Sequence, residues 1–428
     1  MCVASTTSLS NYSRTSDHRY PSRPLRNDTI SLASIGSRPL VPLSFCIGRG
    51  ENQQATPIMA TDRSEIVLLG DYDYDYPRET NIREGLNHHD VEVVDCQFSE
   101  KQRFIGPLKA LLMPLFFVRI VRRMRTIRRD HDPDAIFVTK FNPLVLPLAW
   151  VYARKIGCPL VYDLFVSLHR TAEMRDVHPL LVKLVYLLEY GSLRLPDYHT
   201  VGTNQFIELY SSMYSLPKHR FIRLPPGADE EWYYPLEKSN REEFTALYWG
   251  NFLPHHGVET IIDAAEILQR RDVDDVSIVF VGTGPRKEWA EAAVEKRGLD
   301  NVQFEGFVEM DVLQNWIATS HVCLGVFSSD KRAMASITNK VSEGVAMAKA
   351  VITERSPAIE EWFEHEENIY LVPPDDGDAL AEAILDCKEN PALIERLEEE
   401  SYEVFESAFS QEEIGRILVA ELSLRSNS

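Results

Sequence analysis

The chain has 428 residues, enough for two domains of ordinary size that each bury a core of their own. Its net charge of −20 disfavours nucleic acid as the main partner, because binding phosphates requires a basic face. The six cysteines are scattered without a CxxC motif, as in reduced cytosolic proteins, and no apolar run reaches the roughly 18 residues of a membrane-spanning helix.

Residues 1–58 differ in composition from the rest of the chain. They contain six arginines, no lysine and many serines and threonines, without sustained periodicity. This pattern indicates an extension outside the fold. Met59 then precedes the first apolar strand, so we interpret residues 1–58 as a non-native extension upstream of a natural start at Met59. A native disordered tail and a targeting peptide are the alternatives.

Residues 59–235 predict a first domain in which strands and helices alternate. Short apolar runs of this kind form buried parallel sheets, and alternating βαβ units predict a doubly wound α/β sheet. The expected strands are Ile66–Leu69, Val91–Val94, Ala135–Val138, Leu160–Asp163, His199–Val201 and Phe221–Arg223, and the clearest helices are Asn81–Asn87, Leu144–Lys155 and Val182–Leu195.

Residues 236–400 predict a second domain built in the same way, after a turn-rich boundary at Leu224–Glu243. The expected strands are Ala246–Trp249, Ser277–Val281, Val302–Phe304, Val322–Gly325, Ala350–Thr353 and Ile369–Leu371. The helices between them are expected at Val258–Arg270, Arg286–Arg297, Asp311–Thr319, Lys340–Met347 and Gly377–Cys387. Ligands of such sheets bind at the carboxyl ends of the strands. Residues 401–428 continue a charged helical tail.

A basic, apolar segment at residues 101–129 stands out in this acidic chain. It contains nine basic residues and no acid, with ALLMPLFFV between them. We interpret it as a segment that docks on an anionic membrane surface. The predicted contacts are Arg119, Arg122, Arg123 and Arg125. The alternative is an ordinary domain helix that buries Leu111, Leu115 and Val118.

Four motifs of the second half carry a resemblance to a known family. They are SITNKVSE (Ser336–Glu343), GNFLPHHG (Gly250–Gly257), GTGP (Gly282–Pro285) and FEGFV (Phe304–Val308). With them the chain resembles the retaining glycosyltransferases of family 4, in a subgroup with NKxxE in place of the full E-x7-E motif. The resemblance covers roughly Glu65 to Ser407. It implies the GT-B fold, two Rossmann-like domains facing across a cleft, with the last helix returning to the N-terminal domain.

The resemblance also implies a donor site for a nucleotide-sugar. Its implied contacts are Gly250, Asn251, His256, Gly282, Gly284, Gly306, Phe307, Val308, Ile337, Thr338, Asn339 and Glu343. Glu343 matches the carboxylate that holds ribose, and the helix start before it suits a diphosphate. The chain departs from the family pattern in three places. Asn251 and His256 stand where Arg and Lys usually grip the diphosphate, and Ala335 stands where the first carboxylate belongs. Lys340 is the predicted replacement cation.

The first half is expected to contribute to the same cleft. Asp163 and His169 follow the fourth strand and are predicted, with Lys340, as the catalytic groups, while Arg78 is a predicted anion contact. The Asp-Tyr-Asp repeats after Gly70 resemble a DxD metal motif but directly follow the first strand, so no metal site is predicted.

The predicted function is retaining, metal-independent transfer of a sugar from a nucleotide-sugar to a lipid-linked or polymeric glycan. No cofactor beyond the co-substrate is expected, and no nucleic acid partner. The protein is expected in the cytoplasm, peripheral at the inner face of the cell membrane. The alternatives are a non-catalytic GT-B partner in glycan assembly and another GT-B enzyme such as a sugar-nucleotide 2-epimerase.

Overall fold

A computed structural model describes residues 63–72, 76–97, 107–173, 177–237 and 243–424 of the chain, and for residues 107–117 the backbone alone. The extension predicted at residues 1–58 lies outside the described residues. No described helix combines the length and the apolar character needed to cross a bilayer.

The first sheet contains six parallel strands in the order β2-β1-β3-β4-β5-β6. Its strands are β1 (Glu65–Gly70), β2 (Glu92–Gln97), β3 (Ala135–Val138), β4 (Leu160–Asp163), β5 (Tyr198–Val201) and β6 (Phe221–Arg223). The accompanying helices are α1 (Pro77–His88), α2 (Pro107–Asp130), α3 (Leu146–Ile156), α4 (Leu168–Glu173), α5 (Pro179–Ser192) and α6 (Asn204–Tyr214).

The second sheet repeats the plan with six parallel strands in the order β12-β11-β10-β7-β8-β9. Its strands are β7 (Phe244–Asn251), β8 (Val276–Thr283), β9 (Val302–Phe304), β10 (Val322–Leu324), β11 (Ala350–Glu354) and β12 (Tyr370–Val372). The helices are α7 (Val258–Arg270), α8 (Lys287–Arg297), α9 (Met310–Thr319), α10 (Asn339–Ala346), α11 (Gly377–Glu389), α12 (Pro391–Val404) and α13 (Gln411–Glu421), with a π-helical turn at Phe405–Phe409.

The twelve predicted strands all occur within the described residues, with bounds within three residues of those expected. The reason is visible in the central strands: β3 and β4 are buried along their whole length, so each had to be an unbroken apolar run. Helix α6 was not among the predicted helices. Its start is marked by the Thr203 hydroxyl, which accepts a hydrogen bond from the Phe206 amide at 3.2 Å.

The end of the chain packs on the first domain. Phe405 and Phe409 belong to a core cluster of the second domain, whereas Ile414 and Leu418 of α13 pack with the apolar residues of α1 and β1. The contact between α13 and α1 is close, since a Cβ on Gly415 would lie 1.9 Å from the backbone oxygen of Gly85. One helix of the C-terminal segment thus stabilises the N-terminal sheet.

A second set of contacts joins the two domains near the ends of β5 and β6. The carboxylate of Glu361 accepts hydrogen bonds from the amides of Asn204 and Gln205 at 2.9 and 3.2 Å, at the N-terminus of α6. The same carboxylate pairs with Arg223 at 3.3 Å. A carboxylate at a helix N-terminus is favourable because the free N–H groups and the helix dipole are positive there. Glu361 therefore fixes the second domain against α6.

Helix α2 occupies most of the basic segment. Ile120, Met124 and Ile127 point into the core of the first domain, while the predicted membrane contacts Arg119, Arg122, Arg123 and Arg125 are exposed at the surface. Arg123 donates to the backbone oxygen of Asp95 at 3.1 Å. The alternative expectation that Val118 is buried is wrong, since this side chain is exposed. The side chains of Leu111 and Leu115 lie outside the described residues.

Candidate active site

Three glycine turns meet at the carboxyl ends of β7, β8 and β9. Gly282 has φ 125°, and a Cβ at this position would lie 2.2 Å from the backbone oxygen of Gly250. The Gly282 amide donates to the Gly306 oxygen at 2.6 Å. Gly284, with φ 150°, approaches the backbone of Phe252 just as closely, since a Cβ on this glycine would lie 2.4 Å from the Phe252 amide nitrogen. Gly250, Gly282, Gly284 and Gly306 lie together, and the close backbone approaches require glycine independently of any ligand.

Lys340 lies beside the first of these turns. Its ammonium group is 3.2 Å from Nδ1 of His256 and 4.7 Å from the centre of the Tyr248 ring, and a Cβ on Gly250 would be 3.7 Å from it. Burial lowers the pKa of Lys340 to about 8, against the attraction of Glu343 and Glu354. The site thus has a buried cation that titrates slightly above neutral pH.

His256, one of the implied donor contacts, has partners inside the protein. Its side chain is buried, and Nδ1 also lies 2.8 Å from the Tyr248 hydroxyl. Burial and the nearby Lys340 charge both lower the pKa of His256, so the ring is neutral and accepts hydrogen bonds through Nδ1. His256 positions the Lys340 ammonium rather than adding a positive charge. The neighbouring Asn251 is exposed at the end of β7.

Glu343 is held one turn after Lys340 on α10. The indole N–H of Trp249 donates to its Oε2 at 2.8 Å, and the Tyr233 side chain also bonds to this carboxylate. Burial raises the pKa of Glu343, whereas the Trp249 hydrogen bond and the Lys340 charge lower it. Trp249 and Tyr233 were not predicted as site residues. Trp249 could have been identified because it precedes Gly250 directly, but Tyr233 reaches the site from the segment between the sheets.

The N-terminus of α10 carries the other predicted donor contacts. Ile337 is buried in the core, whereas Thr338 and Asn339 are partly exposed. Thr338 occupies the cap position without a side-chain cap bond, and its hydroxyl oxygen has no hydrogen-bond partner in the described part of the chain. The first amides of α10 therefore have no side-chain acceptor from the cap residue.

A buried carboxylate behind Lys340 was missed by the sequence reasoning. Glu354, the last residue of β11, is fully buried, and its Oε2 accepts a hydrogen bond from the Thr353 hydroxyl at 2.8 Å. Its Oε1 has no hydrogen-bond partner among the residues that the structure describes. Burial raises the pKa of Glu354 well above its usual range, against the attraction of Lys340. A glutamate closing an otherwise apolar strand was the available signal.

The segment after β9 brings an aromatic residue to the same edge. Gly306 has φ 39°, Phe307 is half exposed, and Val308 packs partly against the core of the second domain. The structure therefore places Gly306, Phe307 and Val308 next to the glycine turns, with the Phe307 ring accessible from solvent.

The predicted roles of Arg78 and Asp163 are not supported by their surroundings. The two side chains form a buried ion pair, with Nη2 of Arg78 2.9 Å from Oδ1 of Asp163. Arg78 also donates to the backbone oxygens of Leu224 and Pro225, both at 2.9 Å, and Asp163 accepts from Thr200 at 2.7 Å. Because these bonds occupy both charged groups inside the protein, the arrangement favours a structural role over contact with an anion or an acceptor.

His169 lies on α4, and its described contacts are with residues of the first domain rather than with Lys340. Its Nε2 is 3.6 Å from Glu173, and its ring packs on Tyr186 at 5.1 Å between centroids. Nδ1 is buried and has no hydrogen-bond partner among the described residues. The backbone amide of His169 is anchored by Glu189 at 3.0 Å.

The two parallel six-stranded sheets have the arrangement of the GT-B fold. Residues 243–390 match the family described as "Glycosyl transferases group 1". This match covers the second sheet and the whole Lys340–Glu343 region, and it supports a glycosyltransferase of this group.

Individual relatives agree with this class. The chain is 23% identical over 301 residues to alpha-D-kanosaminyltransferase of Streptomyces kanamyceticus, an alignment that covers 65% of this chain and 74% of that protein. It is 26% identical over 196 residues to the lipopolysaccharide core biosynthesis glycosyltransferase LpsD of Rhizobium meliloti (strain 1021), covering 44% of this chain and 51% of LpsD. The chain thus spans about half the length of LpsD.

The fold has a solved counterpart in Anabaena HepE in complex with UDP-glucose. The TM-score is 0.61 at 15% identity, and the alignment covers 84% of this chain and all of HepE. At this identity the likeness concerns the fold alone.

Proposed function

We propose that the protein transfers a hexose-type sugar from a nucleotide-sugar to a lipid-linked or polymeric glycan, with retention of configuration and without a metal. The observation that carries the proposal is the Lys340–Glu343 turn of α10, a buried cation and a carboxylate beside three packed glycine turns. It lies in the part of the chain that matches the group 1 glycosyltransferases.

In this proposal different groups of the site bind the diphosphate, the ribose and the nucleobase of the nucleotide-sugar. The amides at the start of α10 and the Lys340 ammonium bind the diphosphate. Glu343 accepts hydrogen bonds from the ribose hydroxyls, while Trp249 and Tyr233 hold its carboxylate in place. The backbone of Gly306 and the accessible ring of Phe307 border the nucleobase.

The proposed reaction needs no nucleophile from the protein. The bond from the anomeric carbon to the donor diphosphate breaks, and the bond to the acceptor oxygen forms on the same face. The acceptor proton passes to the leaving diphosphate. The contribution of Lys340 and the helix N-terminus is to stabilise the negative charge that grows on that group. Of the predicted residues in the first domain, His169 remains the candidate for acceptor contact, because Arg78 and Asp163 are paired with each other in the interior.

The acceptor class is proposed from the surface of the first domain. The exposed arginines of α2 suit an anionic membrane, where a lipid-held acceptor is located. The name of LpsD refers to lipopolysaccharide core biosynthesis, a process with a lipid-held glycan. We therefore place the protein at the inner face of the cell membrane as a peripheral enzyme.

The decisive experiment is a panel of UDP-, GDP- and other nucleotide-sugars. Binding of the true donor to the folded state raises the melting temperature, and its diphosphate product is then measured with glycan or lipid acceptors. NMR of the new linkage gives the anomeric configuration. Donor binding without turnover on any acceptor would favour the alternative of a non-catalytic GT-B protein, with which the alanine at position 335 is consistent. A panel without any thermal shift would remove the proposal.

A further inference from the structure

Helix α5 presents a leucine face that no described part of the protein covers. Leu180, Leu181, Leu184 and Leu187 have between 54% and 72% of their surface exposed. Positions 180, 184 and 187 lie on one stripe of the helix, because residues four and three apart share a face. The opposite side is anchored by Glu189, which is buried and accepts hydrogen bonds from Ser167 and Tyr214 at 2.8 and 2.7 Å. The leucine stripe is therefore directed away from the core.

The apolar surface continues from α5 onto α3. Together they line an open groove of about 420 Å³, with Pro143, Leu144 and Pro147 on one side and Leu187, Leu188 and Leu195 on the other. Leu144 and Val151 on the α3 side are also exposed. An apolar surface that extends over several exposed large side chains marks an interaction site rather than ordinary surface.

The helices that carry or adjoin this surface are predominantly basic. Helices α2, α3 and α5 together contain ten basic and two acidic residues, in a chain whose net charge is −20. One of the acids is the buried Glu189, and the other is Asp130, which pairs with Arg129 at 2.7 Å. Helix α3 lies next to both other helices. Its Tyr152 hydroxyl donates to the Val121 oxygen of α2 at 3.1 Å, and residues beside α3 and on α5 line the same groove.

We propose that the leucine face of α5 inserts into the apolar region of an anionic lipid bilayer while the arginines of α2 bind the headgroups. A bilayer of this kind offers both an apolar layer and negative charge at its boundary, which matches the two parts of the surface. A symmetric dimer through the same face would bring the basic side chains of two copies together, and like charges repel. The proposal deepens the membrane contact in the proposed function, on which it rests, by naming the element that enters the lipid.

The test uses the full chain and flotation with phosphatidylcholine vesicles, with or without phosphatidylglycerol. The main variant is Leu180→Gln/Leu184→Gln/Leu187→Gln, and Leu236→Gln/Val312→Gln is the matched control, since both residues are exposed in the second half of the chain. We expect the wild type and the control to bind anionic vesicles. The triple variant should bind about a thousandfold more weakly, from about tenfold for each of the three leucines.

A second variant measures the electrostatic contribution of the α2 arginines to vesicle binding. Arg122→Gln/Arg125→Gln should weaken binding roughly fivefold for each arginine and reduce its salt dependence. Unchanged binding of the triple variant, or no binding of the wild type to anionic vesicles, would overturn the proposal. A concentration-dependent dimer in light scattering that only the triple variant loses would also overturn it, because the face would then bind a second copy.

Thermal shifts with nucleotide-sugars on the same preparations distinguish this proposal from the proposed function. The triple variant should keep the donor-induced shift in melting temperature of the wild type but no longer bind anionic vesicles. The protein could also bind vesicles through the leucines but show no donor-induced shift in melting temperature. This outcome would support the membrane face and contradict only the sugar-transfer proposal.

Discussion

Glu343→Gln tests the donor site at the atom on which the proposal depends. The substitution keeps the side-chain shape and an oxygen that accepts from the Trp249 indole, a bond of 2.8 Å in the structure, but it removes the charge. A hydrogen bond to a charged acceptor contributes about 1.5–3 kcal/mol, against about 1 kcal/mol for a neutral pair. The loss of charge on the ribose contact should therefore weaken donor binding roughly twofold to thirtyfold.

Stability gives the internal check on this variant. Because burial raises the folded-state pKa of Glu343 above its unfolded value, the stability it contributes is present at low pH and is lost as the pH rises through the folded pKa. Removing the ionisable group should therefore leave the melting temperature at pH 7 equal or higher. Weaker binding in this variant then reflects the lost contact and not unfolding.

The assay is isothermal titration with the donor that the thermal-shift panel selects. Glu395→Gln, on the exposed side of α12, is the matched control and should bind like the wild type. Wild-type affinity should also fall as the pH is lowered through the raised pKa of Glu343, and the Gln variant should lack this fall. Equal affinity of the wild type and Glu343→Gln at pH 7 would refute the assignment of Glu343 to ribose.

Three further substitutions test the architecture around the site. Arg78→Met should lower the free energy of unfolding by about 3–5 kcal/mol in urea titrations, because Asp163 stays buried without its partner. Arg154→Met, at an exposed ion pair, is the control and should change the free energy of unfolding by less than about 1 kcal/mol. Equal small effects of the two substitutions would contradict a buried Arg78–Asp163 pair. Lys340 has a folded pKa of about 8, below its ordinary value of 10.5, so the wild type should gain on the order of 3 kcal/mol relative to Lys340→Met as the pH rises from 8 to 10.5. Thermal melts across this range measure the gain, and parallel pH profiles would show that the ammonium is not buried. Glu361→Ala should accelerate amide hydrogen exchange at the start of α6 without unfolding the protein, and unchanged exchange would show that Glu361 does not hold the domains together.

The strands were predictable from the sequence because burial on both faces of a parallel sheet leaves an unmistakable apolar run. Helices were less certain. The start of α6 depends on a single hydroxyl cap at Thr203, and α4 is anchored by the buried Glu189, which lies further along the chain on α5. Neither feature produces a periodic apolar pattern.

The site was predictable to the extent that it is local in sequence. Lys340 and Glu343 share one helical turn, and the glycine turns follow their strands directly. Contacts between distant residues could not be inferred. Arg78 and Asp163 are 85 positions apart, and the burial that neutralises His256 arises from Tyr248 and Lys340 packing around it. In both cases the side chains have partners inside the protein that the sequence does not reveal.

The departures from the family pattern share one physical consequence. The loop after β7 offers a neutral His256 and an uncharged Asn251, so Lys340 is the cation of this cluster in the part of the chain described. A buried charge interacts more strongly than an exposed one, because the local dielectric response is weaker. The same burial lowers the pKa of Lys340, and a bound diphosphate would raise it again by opposite charge. In this arrangement one buried ammonium, hydrogen-bonded to His256 and close to Glu343 and Glu354, is the group that we propose binds the diphosphate.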